Sequence, residues 1–391
     1  MSEGRPTGAP VLELVPAPGV QTWAVDPGMA LYVPSPGELL VLNTAAAYAW
    51  TALADGLGIE AMAAELAQAR NARPGDAEAE VRDLLEDLAE RGALVGPDAR
   101  TERVPASPRQ GRQPALGAPY LRWNSDRVYR VAGRSVVVRV PSETIGTWVD
   151  LGLPGARVED PGSVDAAVEV ARGELGWTVA GTHYPAAVSP SDHQLVSVVR
   201  EAVLLSAARA ADGVVLRGSA LECDREVSLV LGEAEDRTRL VEAWRAADCA
   251  CHADEVLAAT SAGGVLPGRV GIGRRPAYQF VDGEPGPVGS PLVTLDGDFV
   301  EYWKAGPARS SDETLPARSI VVVANTAGDP ASTPLTPASA LQALLAHRVA
   351  NQDVVAEDEA AALIALAMAV PALQIGGEPA EAVALVAQEI A

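Results

Sequence analysis

The stretch Gly37-Glu38-Leu39-Leu40-Val41-Leu42-Asn43-Thr44-Ala45-Ala46 decides the reading of the N-terminal region. A turn-prone Pro34-Ser35-Pro36-Gly37 precedes it, four large apolar residues follow, and Asn43 then stands before an Ala-rich run. Proline fixes φ and glycine tolerates positive φ, so the first part reads as a turn into a strand, Glu38–Asn43. Asparagine offers a side-chain oxygen to orphan N–H groups, so Asn43 reads as the cap of a helix carrying Ala46, Tyr48, Ala49, Trp50 and Leu53. That helix stops at Asp55-Gly56.

Upstream, Val20–Asp26 and Met29–Val33 are strand-like and are joined by Asp26-Pro27-Gly28. Downstream, Ile59, Met62, Ala63 and Leu66 recur at helical spacing over Ile59–Arg70. A third helix spans Asp76–Arg91, with Val81, Leu84, Leu85 and Leu88 as its apolar stripe and Gly92 in the position of a C′ glycine. Three strands followed by three helices fit a small winged-helix module.

From Gly96 to Pro119 the composition changes. Five prolines alternate with Arg100, Arg103, Arg109 and Arg112, and large apolar residues are scarce. This reads as a semi-extended linker, basic in an acidic chain. Beyond it the pattern is mixed. Val128–Val131 and Ser135–Val140 flank the turn Ala132-Gly133-Arg134. Helices are expected at His193–Ala211 and Thr238–Ala247, with strands at Val214–Arg217, Ser228–Leu231 and Ile320–Ala324. Thr326–Thr336 reads as a loop, Pro337–Ala350 and Glu357–Ala369 as Ala-rich helices, Ala372–Ile375 as a strand, and a last helix begins at Pro379. The fold class is α+β, with boundaries at 1–96 (winged helix), 97–119 (linker) and 120–391 (larger mixed α/β domain). The first of these, having its own apolar stripe, is expected to fold alone.

The 391 residues carry a net charge of −22, and Lys304 is the sole lysine among 30 basic residues. So acidic a chain disfavours general binding to nucleic acid or anionic membrane, because phosphates attract the opposite sign. Cys223, Cys249 and Cys251 form no disulfide framework, which fits a reducing compartment. No apolar run reaches membrane-spanning length, since Ala360–Ile375 is short and broken by Pro371. The expectation is a cytoplasmic protein.

The N-terminal residues resemble the PqqD-like RiPP recognition element, the leader-peptide-binding module of ribosomal peptide biosynthesis. The Leu42-Asn43-Thr44-Ala45 helix start, the Asp55-Gly56 stop and the closing Leu84-Leu85…Leu88…Arg91-Gly92 helix fall at that family's spacing. A winged helix also serves DNA binding. Here, however, the third helix carries seven acids and two arginines from Asp76 to Arg91 and would repel phosphate. The resemblance implies that a leader peptide adds as a strand to the sheet edge beside the third helix, at Leu39, Leu40, Val41 and Leu42, with Val81, Leu84, Leu85 and Leu88 supplying apolar pockets.

The remainder is similar to the HPr-kinase-like P-loop domain. The similarity lies in Gly213–Leu221, read as a strand entering a hairpin turn at Gly218-Ser219, and in Val227–Thr238. Cys251–Leu257 supplies a strand with a Walker-B-like Asp254, and Ser319–Ala324 follows. A working P-loop needs glycines whose N–H groups cradle phosphate, a lysine, and a hydroxyl for Mg²⁺. Only Gly232 and Thr238 remain, Arg237 stands in the lysine's place, and Glu233, Glu235 and Asp236 bring carboxylates to the phosphate positions. Arg217 also stands where that family tends to place a histidine. The expectation is a pseudo-kinase without catalytic residues, metal or cofactor; an active ATP-dependent peptide kinase is the alternative. The two-domain layout resembles the recognition proteins of daptide-type clusters, which implies two partners: a precursor peptide, and a modifying enzyme of the alcohol-dehydrogenase-like oxidative decarboxylase kind.

Other clusters carry less. Cys249, Cys251, His252 and Asp254 lack zinc-ligand spacing, and no Gly-x-Ser-x-Gly elbow occurs. His183 and His193 flank a Pro/Ser loop and read as polar surface groups; Trp123, Trp148, Trp177, Trp244 and Trp303 read as core or interface residues.

Overall fold

A computed structural model describes residues 14–97, most of 125–266, the segments 272–276, 292–293 and 299–303, and residues 315–325, 331–349, 355–377 and 381. The chain divides into two compact units. One comprises Met1–Arg109 together with Thr336–Gln342 and Gln352–Ile364, and the other comprises Gln110–Leu335, Ala343–Asn351 and Ala365–Ala391. The boundaries expected at 96 and 119 leave the two C-terminal segments out of the first unit.

In the first unit, β1 (Val15–Pro16) pairs with β5 (Leu94–Val95). Next come β2 (Gln21–Val25), β3 (Gly28–Val33) and β4 (Glu38–Leu42), an antiparallel sheet in the order β2-β3-β4. The helices α1 (Thr44–Ala54), α2 (Ile59–Arg70) and α3 (Pro74–Glu90) follow. Asn43 caps α1 as its chemistry requires, its side-chain oxygen accepting from the Ala46 amide at 2.9 Å. α3 ends in a Schellman motif: the Ala93 amide donates to Leu88 O, the Gly92 amide donates to Ala89 O, and Gly92 has φ +74°. Strand alternation sends Leu31, Val33, Leu40 and Leu42 to the helix side, where they share one core with Trp50, Met62, Val81, Leu85 and Leu88.

The opposite face of this sheet is buried as well, at Ala30, Tyr32 and Leu39. A three-stranded sheet with helices on one side alone would leave those residues in water. The C-terminal segments of the same unit meet the sheet on this side. The Val355 amide donates to Gly37 O at 2.7 Å, the Tyr32 hydroxyl donates to Val355 O at 3.2 Å, and the Ala338 amide donates to Asp26 O at 3.2 Å.

The second unit opens with β6 (Ser125–Val131), β7 (Arg134–Val140), α4 (Glu143–Gly152), β8 (Arg157–Val158), β9 (Ala166–Gly173), β10 (Gly176–Gly181), β11 (Tyr184–Ser189) and α5 (Asp192–Ala210). These strands form a six-stranded sheet in the order β11-β10-β9-β7-β6-β8, with α4 and α5 in its core. Next are β12 (Val214–Arg217), β13 (Ser219–Cys223), β14 (Glu226–Leu231), α6 (Ala234–Ala246), β15 (Ala250–Ala253), β16 (Val256–Ala259) and β17 (Gly264–Leu266). A small sheet of β18 (Ile272–Pro276), β19 (Leu292–Val293) and β20 (Phe299–Trp303) precedes β21 (Leu315–Asn325), β22 (Ala331–Leu335), α7 (Pro337–Ala346), α8 (Glu357–Ala369) and β23 (Ala372–Gly376).

β21 lies at the centre of a nine-stranded sheet, parallel to both β14 and β23, which accounts for its β-branched run Ile320–Val323. Three readings are corrected. Gly218-Ser219 is not a hairpin turn, because β12 pairs with β16 while β13 pairs with β14 and β15. The expected loop before Thr336 contains β22, which pairs with β23. α6 begins at Ala234, four residues earlier than expected, because Glu235 and Asp236 sit in its first turn, where the helix dipole favours carboxylates. The linker, Cys249, Asp254 and His183 lie outside the described residues.

Candidate functional site

β4 is an edge strand: it pairs with β3, and among the described residues no strand lies on its other side. Its main-chain groups on that side are therefore a template for a further strand. Of the four residues expected here, Leu40 and Leu42 face the helices, Leu39 faces the opposite side and is buried, and Val41 is half-buried. The start of β4 is tied to the end of α3. Arg91 donates from Nη1 to Glu38 Oε1 at 2.6 Å and from Nε to Asp87 Oδ2 at 3.0 Å, and the two carboxylates hold its guanidinium above its ordinary pKa. Gly92 also sits under the β3–β4 turn, where an added Cβ would lie 3.0 Å from Ser35 O.

The α3 stripe divides. Val81, Leu85 and Leu88 are 0–2% exposed and belong to the domain's own core, whereas Leu84 keeps partial exposure. Periodicity puts all four on one stripe and cannot separate them; the depth of each follows from the neighbouring helices. On the solvent side of α3, Asp76, Asp83, Glu86 and Glu90 have no ion pair among the described residues, while Arg82 pairs with Glu78 and Arg70 with Glu80. Residues 28–94 hold four arginines against 11 carboxylates, a net charge of −7. Like charges at i,i+3 and i,i+4 cost a helix about 0.2–0.5 kcal/mol per pair, so this face adds nothing to helix stability. It also rules against a DNA-reading helix, as the charge already implies.

A small sheet with an open edge, three helices packed on one face and a helix C-terminus anchored to the edge strand define this unit, and its free edge has the main-chain geometry of a strand-pairing site. Residues 28–94, from β3 to the first residue of β5, match the family model described as Coenzyme PQQ synthesis protein D (PqqD), so this part of the chain is a PqqD domain of the RiPP recognition element family. Proteins of that family bind precursor peptides and partner modifying enzymes. No curated protein matches the chain.

In the second unit Gly232, Arg237 and Thr238, the residues read as remnants of a P-loop, lie close together. Gly232 has φ +154° and leads through Glu233 directly into α6. The buried Arg237 donates from Nη1 to Gly232 O at 3.0 Å, and the Thr238 hydroxyl donates to Ala234 O at 2.8 Å. The residues between Leu231 and α6 number two, too few for successive amides to surround a phosphate. A Cβ on Gly232 would lie 3.0 Å from Val323 Cβ, so β21 closes the loop from one side. His347 is held below its ordinary pKa by burial first and then by the Arg237 guanidinium.

A second polar cluster escaped the sequence reading. Arg127 of β6, 2% exposed in its side chain, pairs with Glu143 and Asp150 of α4. Asp150 also accepts from the Tyr129 hydroxyl at 2.7 Å and pairs with Arg157 at 3.2 Å. Burial, then this hydrogen bond, raises the Tyr129 pKa far above the ordinary phenol range. The guanidinium lies over Gly146, where a Cβ would come 2.1 Å from Arg127 Nε. Every charged member is matched within the cluster, which makes it a structural tie between strand and helix. Among the described residues no group of three or more His, Cys, Asp or Glu is placed to hold a metal ion, and no helix is long and apolar enough to cross a membrane.

Proposed function

We propose that this chain captures the leader of a ribosomally made precursor peptide and presents the precursor's core to a modifying enzyme in the cytoplasm. The observation that carries the reading is the open edge of β4 inside the PqqD match, with its start fastened to α3. Main-chain hydrogen bonds along an edge supply affinity that is indifferent to side chains, and the half-buried Leu84 and Val41 offer apolar contact that selects among them. The module takes the winged-helix form in this reading.

The second unit acts without catalysis, as a degenerate HPr-kinase-like domain that docks the modifying enzyme. Support comes from Arg237 and Thr238, whose polar groups are engaged by Gly232 O and Ala234 O, and from the two-residue connection into α6. This geometry disfavours the active-kinase alternative. The layout fits a daptide-type recognition protein, whose partner is an alcohol-dehydrogenase-like oxidative decarboxylase acting on the precursor's C-terminus. Tethering the leader places the core at about millimolar effective concentration beside that enzyme.

The deciding experiment is amide hydrogen exchange on the full chain, with and without peptides selected for binding to it from a library of extended leader-length sequences. Residues 38–42 should gain protection on binding. Binding with protection elsewhere and none at 38–42 overturns the edge reading, and a library that yields no binder overturns leader capture.

A further inference from the structure

We propose that Val355–Glu357 is a positioning element of the peptide-accepting edge, a brace laid across the back of the recognition sheet. The proposal rests on the leader-capture reading above for its functional meaning. Gln21, Tyr32 and Leu39 are successive cross-strand partners and so form one row of the sheet. The brace meets this row from one short run of chain. Glu357 accepts from the Gln21 side-chain amide on β2, Val355 O accepts from the Tyr32 hydroxyl on β3, and the Val355 amide donates to Gly37 O, the residue that launches β4. At the other end of the sheet the Ala338 amide holds Asp26 O in the β2–β3 turn.

The need for a brace follows from the geometry of strand addition. N–H···O bonds weaken steeply when misaligned, so an incoming strand binds only an edge whose twist and register are already set. The sheet is twisted and β4 is an outermost strand, so the position of the edge depends on what holds it. Among the described residues β4 has one strand partner, and its outer side must stay open for the peptide. Its position is therefore set from β3, from the Glu38–Arg91 tie and from behind. The brace supplies the support from behind without covering the edge. Burial, and then the carboxylates of Glu357 and Asp358, raise the pKa of Tyr32, so its hydroxyl stays a donor beyond the ordinary phenol range. A PqqD domain in this chain is thereby built from two stretches separated by more than half the sequence.

The test uses the full chain in wild-type, Tyr32→Phe and Gln21→Ala forms. The first readout is hydrogen exchange at residues 38–42 without peptide. Loss of one hydrogen bond to a buried carbonyl predicts exchange about five-fold faster in Tyr32→Phe, with α2 and α3 unchanged. The second readout is affinity for a fluorescein-labelled peptide chosen on the wild-type chain from a short-peptide display library for protecting 38–42; it should weaken by about the same factor. Gln21→Ala should act in the same direction, more mildly, and decides the matter if Tyr32→Phe loosens the whole module. Unchanged exchange at 38–42 in both variants overturns the brace. A wild-type chain that selects no peptide overturns leader capture, and the exchange readout then judges the brace on its own.

Discussion

The hydroxyl of Tyr32 donates to the main-chain oxygen of Val355 at 3.2 Å, across 323 positions of chain. This contact belongs to a layer that covers the back of the β2-β3-β4 sheet, and it changes what a fragment of the protein will do. Residues 1–97 alone should melt below the intact first unit and bind an apolar dye. The cause is re-exposure of Tyr32 and Leu39, at about 1.5–3 kcal/mol for each large side chain returned to water. Near-ultraviolet circular dichroism with a thermal ramp checks this. A fragment as cooperative and as stable as the full chain would show that the C-terminal layer is dispensable for folding.

Leu84 and Leu85 are neighbours in sequence with opposite expected effects. Leu85 is fully buried, so Leu85→Ala should lose about 2–5 kcal/mol of stability through transfer and cavity costs. Leu84 is half-exposed, so Leu84→Ser should stay within about 1 kcal/mol of wild type by chemical denaturation. Its effect should fall on peptide capture instead. Equal destabilisation by both would place Leu84 in the core and remove it from peptide contact.

Adding Mg²⁺ and ATP should leave the melting temperature of the full chain unchanged and give no heat in calorimetry. Arg237→Ala should destabilise the second unit by about 1–3 kcal/mol, since it removes a buried charge-assisted bond to Gly232 O. Micromolar ATP affinity that disappears in Thr238→Ala would reverse the non-catalytic reading.

Gly146→Ala would place a methyl group where the Arg127 guanidinium lies. Displacing that buried cation from Asp150 should cost about 3 kcal/mol, measured by urea unfolding. A neutral outcome would mean that the α4 backbone can shift to admit the methyl.

His347 gives an acid-side signature. Its folded-state pKa is depressed by burial and Arg237, so the folded state prefers the neutral ring. For a base shifted downward, the stability it contributes is full above the unfolded value near 6.5 and is lost as pH falls below it. Stability should therefore decline from pH 7 toward pH 5, and His347→Gln should flatten that part of the profile. An unaltered profile would assign the decline to other groups.

The order of strands and helices in the first unit was legible because each signal is local. Asn43 caps the residues beside it, Gly92 takes the positive φ that ends α3, and the spacing of Ile59, Met62 and Leu66 needs nothing beyond one helix. The strand Leu39–Leu42 was legible for the same reason, and so was the scarcity of glycine around Gly232. The six-stranded sheet was less so: residues 143–189 carry short strands whose partners, such as Ala166 beside Val136, are not adjacent in sequence.

What could be read from neighbouring residues was the set of local elements and the acidic composition, because helix caps, turns and charge are local properties. Tertiary structure alone decided that Val81, Leu85 and Leu88 serve the core while Leu84 stays half-exposed. It also decided that Arg237 turns back onto Gly232, and that a run near Val355 braces strands laid down three hundred residues earlier. Burial depth and long-range hydrogen bonds depend on which surfaces meet when the chain condenses. No periodicity within one element carries that information.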